Sequence, residues 1–230
     1  MKSNLLEAKI GYQFRNKALL KESLTHGSYI KEGKGVETQN ERLEFLGDAF
    51  LDAIVGAQLY LLMPKAPEGI LSKTRAEVVC EHSLADVART IDLGEYILLG
   101  HGEEMAGGRG KPSILADALE AVIGAVYLDG GYETAKRLVL NLFEGNIDLA
   151  ISGKLVSDYK SKVQEILQAG GNPIQIVYKT DREEGPDHDK TFFVHMECDG
   201  KVLGSGDGKT KKEAEQKAAK ESIEILERRK

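Results

Sequence analysis

The 230-residue chain has only two cysteines, Cys80 and Cys198, which are far apart and lack the short spacing of a metal-binding pair. A cysteine-built scaffold or thiolate metal site is thereby excluded, and a reduced, cytoplasmic protein is expected. No uninterrupted apolar run is long enough to span a bilayer. Met1-Lys2-Ser3-Asn4 leads into an amphipathic segment and not into a secretory core, so no membrane partner is expected. Low-complexity tracts that would argue for disorder are absent as well. An excess of positive charge is also missing. The net charge is −6, with 17 Lys and Arg against 22 Asp and Glu in residues 1–154, and 14 against 15 in residues 155–230. This balance speaks only weakly against a nucleic-acid partner, because a phosphate-binding surface is local. A hydrophobic fraction of 41% is ample for packed cores, and the length fits one or two domains.

The stretch Asn40-Glu-Arg-Leu-Glu-Phe-Leu-Gly-Asp-Ala-Phe-Leu-Asp52 opens a helical pattern running to about Met63. Glu44 and Asp48 lie four apart and therefore share a face, which continues through the apolar Leu51 and Val55. Charged carboxylates on a buried stripe are costly unless they are protonated, paired or bound to a cation. A second stretch, from Ile114 to Leu128, is apolar nearly all round, which predicts a buried helix. Its only acids, Asp117 and Glu120, are spaced i, i+3 and again share a face. Two such helices predict four carboxylates meeting at one site. Oxygen ligands without histidine or cysteine favour Mg²⁺, or Mn²⁺ in its place, over zinc. The competing reading has the acids cap helix starts and pair with Arg42, Lys73 or Arg75. Both runs are too apolar to be surface helices, which disfavours it.

Residues 5–62 read as helices, with Asn16 as a candidate N-cap and His26 in a polar turn, there as a hydrogen-bonded structural residue in preference to a general base. Residues 31–40 form a loop. Pro64 and Pro67 end the first acid-bearing helix, and Glu68–Thr90 offers two more, with Val78, Val79, Leu84, Val87 and Ala88 in the core. Gly100–Lys111 is glycine-rich and reads either as a surface connection or as a loop able to approach a phosphate backbone. Tyr132–Phe143 is a further amphipathic helix. No convincing strand occurs before about Ile147, so residues 1–147 form an all-α domain, and residues 148–156, with Ser152-Gly153, form a linker.

From residue 157 the periodicity changes. Asp158–Gln168 is a short helix stopped at Gly170-Gly171. Ile174, Ile176 and Tyr178 alternate with polar residues, as do Phe192, Val194, Met196 and Cys198. Asp199-Gly200 is a hairpin signal into Lys201-Val-Leu-Gly204. Thr210-Lys-Lys-Glu213 is a capping box for a final helix through Ala214, Ala218, Ala219, Ile223 and Ile225-Leu226. The order α-β-β-β-α makes residues 157–230 a small α+β domain. Lys209, Lys211 and Lys212 gather at the start of its last helix, where lysine opposes the helix dipole. That placement favours an incoming phosphate. Five lysines against two glutamates between Lys209 and Lys220 make this stretch basic.

The motif Asn40-Glu-Arg-Leu-Glu-Phe-Leu-Gly-Asp48-Ala49 resembles the signature of the ribonuclease III family. Leu24-Thr-His-Gly-Ser-Tyr29, Glu68-Gly-Ile-Leu-Ser-Lys-Thr-Arg-Ala76 and Leu115-Ala-Asp-Ala-Leu-Glu-Ala121 resemble its other motifs, in order. The C-terminal part resembles a double-stranded RNA-binding domain through Asp158-Tyr-Lys-Ser-Lys-Val-Gln-Glu165, Gly185-Pro-Asp-His188 and Gly208-Lys-Thr-Lys-Lys-Glu-Ala-Glu215. Together the resemblance covers essentially the whole chain. It implies that Glu44, Asp117 and Glu120 hold Mg²⁺, that Asp48 binds or orients the metal-bound water, and that Asp48 and Glu120 are catalytic. Glu41 would have an outer-shell role. It further implies that Gln164 and Glu165 enter one minor groove and the His188 loop the next, with Lys209, Lys211 and Lys212 across the phosphates between. That division suits A-form RNA, whose narrow major groove cannot be read by side chains. Glu183, Glu184, Asp187 and Asp189 depart from the pattern by making the His188 loop acidic.

The implied activity is an Mg²⁺-dependent endoribonuclease that cuts double-stranded RNA, including rRNA and mRNA precursors, to 5′-phosphate and 3′-hydroxyl ends. The implied assembly is a homodimer in which exposed Phe45 inserts into the partner; an ordinary core aromatic is the other reading of Phe45. A non-catalytic duplex-RNA-binding protein that keeps the nuclease fold is the alternative function. Loss of an acid would support it, and all four are present.

Overall fold

The computed structural model describes residues 2–32, 38–153, 155, 159–168, 174–186 and 190–228. The chain divides into two compact units, Met1–Ser157 and Asp158–Lys230.

The described part of the first unit is helical: α1 (Lys2–Ile10), α2 (Lys17–Ser23), α3 (Gly27–Lys31), α4 (Glu41–Leu62), α5 (Glu68–Val78), α6 (Glu81–Thr90), α7 (His101–Met105), α8 (Pro112–Gly130) and α9 (Tyr132–Ile151). Asn16 caps α2, its side chain accepting from the Ala18 N–H at 3.0 Å, a contact worth about 1 kcal/mol. The α1–α2 turn is pinned by Asp129 at the end of α8, which accepts from the Tyr12 hydroxyl and from the Arg15 and Asn16 N–H groups. The buried Glu7 carboxylate accepts from the Phe14 N–H and the Lys17 ammonium.

The centre of this unit is α8, buried from Ile114 to Val126 apart from its acids. Against it α4 sets Leu43, Gly47, Leu51, Ile54, Val55 and Leu59, so the expected stripe through Leu51 and Val55 is buried. Both are 0% exposed. The Phe50 ring of α4 stacks on Tyr127 of α8 at 3.7 Å between centroids. Of the core positions expected on α5 and α6, Val78, Leu84, Val87 and Ala88 are buried, and Val79 packs half-buried at the edge.

Three local expectations are corrected. The stretch 148–156 is not a linker from its start. Helix α9 continues to Ile151 because Ile147, Ala150 and Ile151 extend the apolar face of Phe143, and Leu155 still packs on the core. The glycine-rich stretch Gly100–Lys111 is not all loop but carries α7 and a 3₁₀ turn at Gly108–Gly110, held by Arg109 donating to the Gly94 and Ile97 carbonyls. Finally, the 22-residue α4 is long and apolar enough to cross a membrane by those measures, which the run-length reading missed because Asp48 and Asp52 interrupt it. A core helix passes the same test, and α4 supplies the buried residues named above.

The second unit runs α10 (Tyr159–Gln168), β1 (Ile176–Glu184), β2 (Thr191–Cys198), β3 (Lys201–Gly208) and α11 (Lys211–Arg228), with the antiparallel sheet in the order β1-β2-β3. The expected α-β-β-β-α order is present. Asp199 and Gly200 both take positive φ, 48° and 76°, between paired Cys198 and Lys201, as a two-residue hairpin with a type I′ twist requires. Val194 and Met196 face a core with Val163, Ala214, Ala218, Ala219 and Ile223. Gly204, Gly206 and Gly208 of β3 meet α11 directly: a Cβ at each would stand 2.5–2.7 Å from Ser222, Ala218 or Ala214. Alternate glycines on the strand and small residues every fourth position on the helix bring the two backbones together. The expected stop at Gly170-Gly171 lies outside the described residues.

Candidate metal centre and nucleic-acid interface

The first site is built where α4 crosses α8. A Cβ on Gly47 would stand 1.8 Å from the Glu120 carbonyl oxygen, and one on Gly124 2.3 Å from that of Leu43. Only glycine at both positions allows the helices this close. The approach brings Glu44, one turn before Gly47, beside Asp117 and Glu120, which lie two turns and one turn before Gly124, respectively. One carboxylate oxygen from each of Glu44, Asp117 and Glu120 lies within 4.8 Å of the others. All three residues are half-buried, whereas Asp48 is exposed at the rim. The expected burial of both α4 acids is therefore corrected for Asp48. At one residue beyond Gly47, the crossing leaves its side chain at the edge of the helix contact.

Among the described residues, no lysine or arginine nitrogen lies within 4.0 Å of these four carboxylates. Arg75, one of the partners weighed from sequence, lies 3.9 Å from Asp52 instead. The charges consequently press on one another. Burial, followed by the carboxylates of Asp48, Glu44, Asp117 and Asp52, pushes Glu120 up to about 8. Burial and then Asp117, Glu41 and Asp48 raise Glu44; burial and Glu81 raise Asp117, with His26 opposing. Three oxygen donors held by two backbones in contact are a donor set consistent with a hard divalent cation.

His26 is the N-cap of α3. Its Nδ1 accepts from the Ser28 N–H at 3.3 Å and lies 2.8 Å from Ser28 Oγ, which in turn accepts from the Gly100 N–H. The structural reading of His26 holds, with the addition that its ring faces the field of Asp117. Asp52 and Glu81 are contributors that sequence reasoning missed. Asp52 carried a signal, being one turn beyond Asp48 on the same face. Glu81 carried none, since only the packing of α6 on α8 brings it near.

In the second unit, Gln164 and Glu165 are exposed on α10, and Lys209, Lys211 and Lys212 are exposed around the start of α11. The capping box forms in shifted form. The Glu213 N–H donates to Thr210 Oγ1 at 3.1 Å, but the Glu213 carboxylate accepts from the Lys209 N–H, one residue before the cap. The Lys211 ammonium sits 5.5 Å from the Phe192 ring centroid and 3.5 Å from Glu183. His188 lies outside the described residues. Phe45 is 78% exposed on α4, which excludes its reading as a core aromatic within this chain.

A family profile described as Ribonuclease-III-like matches residues 16–145, and one for the double-stranded RNA binding motif matches residues 159–226. Ribonuclease 3 of Caldanaerobacter subterraneus subsp. tengcongensis is 49% identical over 221 residues, which is 96% of each chain. Ribonuclease 3 of Desulforamulus reducens is 49% identical over 98% of this chain and 92% of its own. Among solved structures, the nuclease domain of ribonuclease III from Campylobacter jejuni, described for flexibility in a region involved in dimer formation, is 48% identical. It covers 62% of this chain and 96% of its own, with a TM-score of 0.58. With both profiles in order on the two units, and identity near one half over nearly the full length, the chain belongs to the ribonuclease III family: a helical endoribonuclease domain followed by a double-stranded RNA-binding domain.

Proposed function

We propose that this enzyme cuts double-stranded RNA by Mg²⁺-dependent hydrolysis, leaving 5′-phosphate and 3′-hydroxyl ends, with rRNA and mRNA precursors as its substrates. The observation that carries this reading is the carboxylate trio of Glu44, Asp117 and Glu120 across the α4–α8 crossing. Their donors are all hard oxygens, which suit Mg²⁺ or, in its place, Mn²⁺. Bound there, the cation supplies Lewis acidity that lowers the pKa of a water and offsets charge on the leaving oxygen. Asp48, exposed at the rim, accepts a hydrogen bond from the attacking water and orients it. Glu120 holds the proton that metal binding must displace, since its carboxyl is the most strongly raised of the group. Glu41, exposed one turn before Glu44, acts from the outer shell on Glu44.

Binding is assigned to the second unit. Lys209, Lys211 and Lys212 contact phosphates; Gln164, Glu165 and the His188 loop reach the flanking minor grooves. A homodimer is proposed because Phe45 at 78% exposed, with Tyr60 at 70% and Leu61 at 69%, leaves α4 with apolar surface that a monomer would rarely carry. Phe45 is its proposed insertion point. Cys80 and Cys198 are free thiols in different units, in keeping with a cytoplasmic enzyme. Incubating the purified protein with a long RNA duplex, with Mg²⁺ and with chelator, tests the reading. Mg²⁺-dependent shortening of the duplex to products with 5′-phosphates is expected; an intact duplex under both conditions overturns it.

A further inference from the structure

Lys211 is placed for a phosphate in the reading above, yet it already has an anion. Glu183, near the end of β1, lies with Oε1 3.5 Å from the Lys211 ammonium and Oε2 3.5 Å from that of Lys190, just before β2. One carboxylate thus spans two ammonium groups from different segments. The Phe192 ring, 5.5 Å from the same Lys211 nitrogen, supplies a second attraction. Lys211 is 59% exposed and Glu183 37%, so neither is walled off from a ligand.

We propose that Glu183 is a phosphate surrogate: it occupies the Lys211 ammonium in the RNA-free protein and is exchanged for a backbone phosphate when a duplex binds. The exchange leaves no stranded charge, because Glu183 keeps Lys190 when Lys211 turns away. A lone anion gains little from replacing a carboxylate already in place. A duplex delivers many phosphates at once and releases its counterions, so it displaces Glu183 where a single phosphate group does not. Glu183 therefore lowers affinity for every anion while disfavouring isolated ones most, setting a threshold of charge density at the start of α11. Lys209 and Lys212, both exposed, are near neighbours of Lys211 in sequence, whereas another lysine–glutamate pair, Lys217 with Glu213 at 3.2 Å, lies within α11 itself.

The inference rests on the assignment of Lys211 to phosphate contact, and the test separates the two. Affinity of the full-length protein for a 30-base-pair RNA duplex is measured by fluorescence anisotropy without Mg²⁺, over a range of salt, for wild type, Glu183→Gln, Lys211→Gln and the double variant. Expected is a two- to fivefold, that is about 0.5–1 kcal/mol, tightening in Glu183→Gln at low salt. The tightening disappears when Lys211 is already Gln. Wild-type or weaker affinity in Glu183→Gln, with Lys211→Gln clearly weakened, overturns the surrogate while leaving the phosphate contact standing. Unchanged affinity in Lys211→Gln overturns the phosphate contact itself. Thermal unfolding of each variant identifies any change that comes from the fold.

Discussion

The carbonyl oxygen of Glu120 stands 1.8 Å from where a Cβ on Gly47 would be, so the backbone of one acid-bearing helix fills the space that a side chain on the other would need. The spacing of the carboxylate trio is therefore set by backbone contact, and the proposed metal ligands inherit it. Gly47→Ala must push α4 from α8 and is expected to cost at least about 1–3 kcal/mol, as for other overpacked cores. It should also widen the carboxylate trio. Thermal unfolding in chelator, beside Mg²⁺ titration of cleavage, checks this. An alanine variant with wild-type stability and Mg²⁺ dependence would show that the helices separate freely.

Glu120→Gln preserves shape and removes one of the clustered charges. Cleavage is expected to fall on the order of 100-fold or more, with partial recovery at high Mg²⁺ or Mn²⁺, while duplex binding persists. The melting temperature of the metal-free protein should rise, because like-charge repulsion at the centre is relieved. Were Glu120 the partner of a buried cation, loss of the pair would instead cost about 3–5 kcal/mol. A destabilised variant with undiminished specific activity refutes the assignment.

The pH dependence has a definite sign. Burial and its acidic neighbours push Glu120 up to about 8, while in the unfolded chain it titrates near 4.5. Between those values the folded protein keeps a proton that the unfolded chain has lost, so stability falls as pH rises through that window and levels off above it. Glu44 and Asp117, also raised, add with the same sign. In chelator, the wild type should lose stability relative to Glu120→Gln between pH 5 and pH 8. Mg²⁺ should stabilise the wild type more at pH 8 than at pH 6, because protons compete with the ion. Melting curves of both proteins across this range decide it; a constant difference between them contradicts the prediction.

Reversing the charge of Lys211 and Lys212 together is expected to weaken binding to all duplexes alike and to flatten the salt dependence of the affinity. A loss confined to some RNA sequences would place these lysines at base edges and not at phosphates. Anisotropy titrations with unrelated duplexes at several salt concentrations distinguish the outcomes.

Removing residues 158–230 should leave a folded helical domain that cleaves duplex RNA at high enzyme and low salt but binds it weakly. The cut belongs after residue 157 because Ile151 and Leu155 still pack on the first core. Loss of helical circular dichroism would show that the two units fold only together.

Much of this was legible in the chain. The acids of α8 stood out because everything around them was apolar, and the capping residues Asn16 and Thr210 announced the starts of α2 and α11. The hairpin at Asp199-Gly200 was equally plain, since two successive positive φ values need such a pair. What stayed hidden depended on partners distant in sequence. Gly47 and Gly124 look like ordinary helix-weakening residues until the opposite backbone is seen. Asp48 was expected buried on helical periodicity, which cannot tell a groove from its rim. The extension of α9 to Ile151 was obscured by Asp148 and Ser152, polar residues that composition reads as a linker. The bulge between Thr180 and Arg182 of β1, which alters which residues share a face near Glu183, has no local signature at all.

The close seating of α11 on β3 also limits itself. Four residues of helix advance about 6.0 Å and two of strand about 6.6–6.8 Å, so the matched teeth drift apart by a little under 1 Å at each step. Three glycines, Gly204, Gly206 and Gly208, meet Ser222, Ala218 and Ala214 in turn before the mismatch becomes large. Like two rulers of slightly different gauge, the pair agrees only over a short length. A longer glycine ladder would gain no further contact, and the first tooth, Gly208 against Ala214, fixes how far Lys211 and Lys212 overhang the end of the sheet.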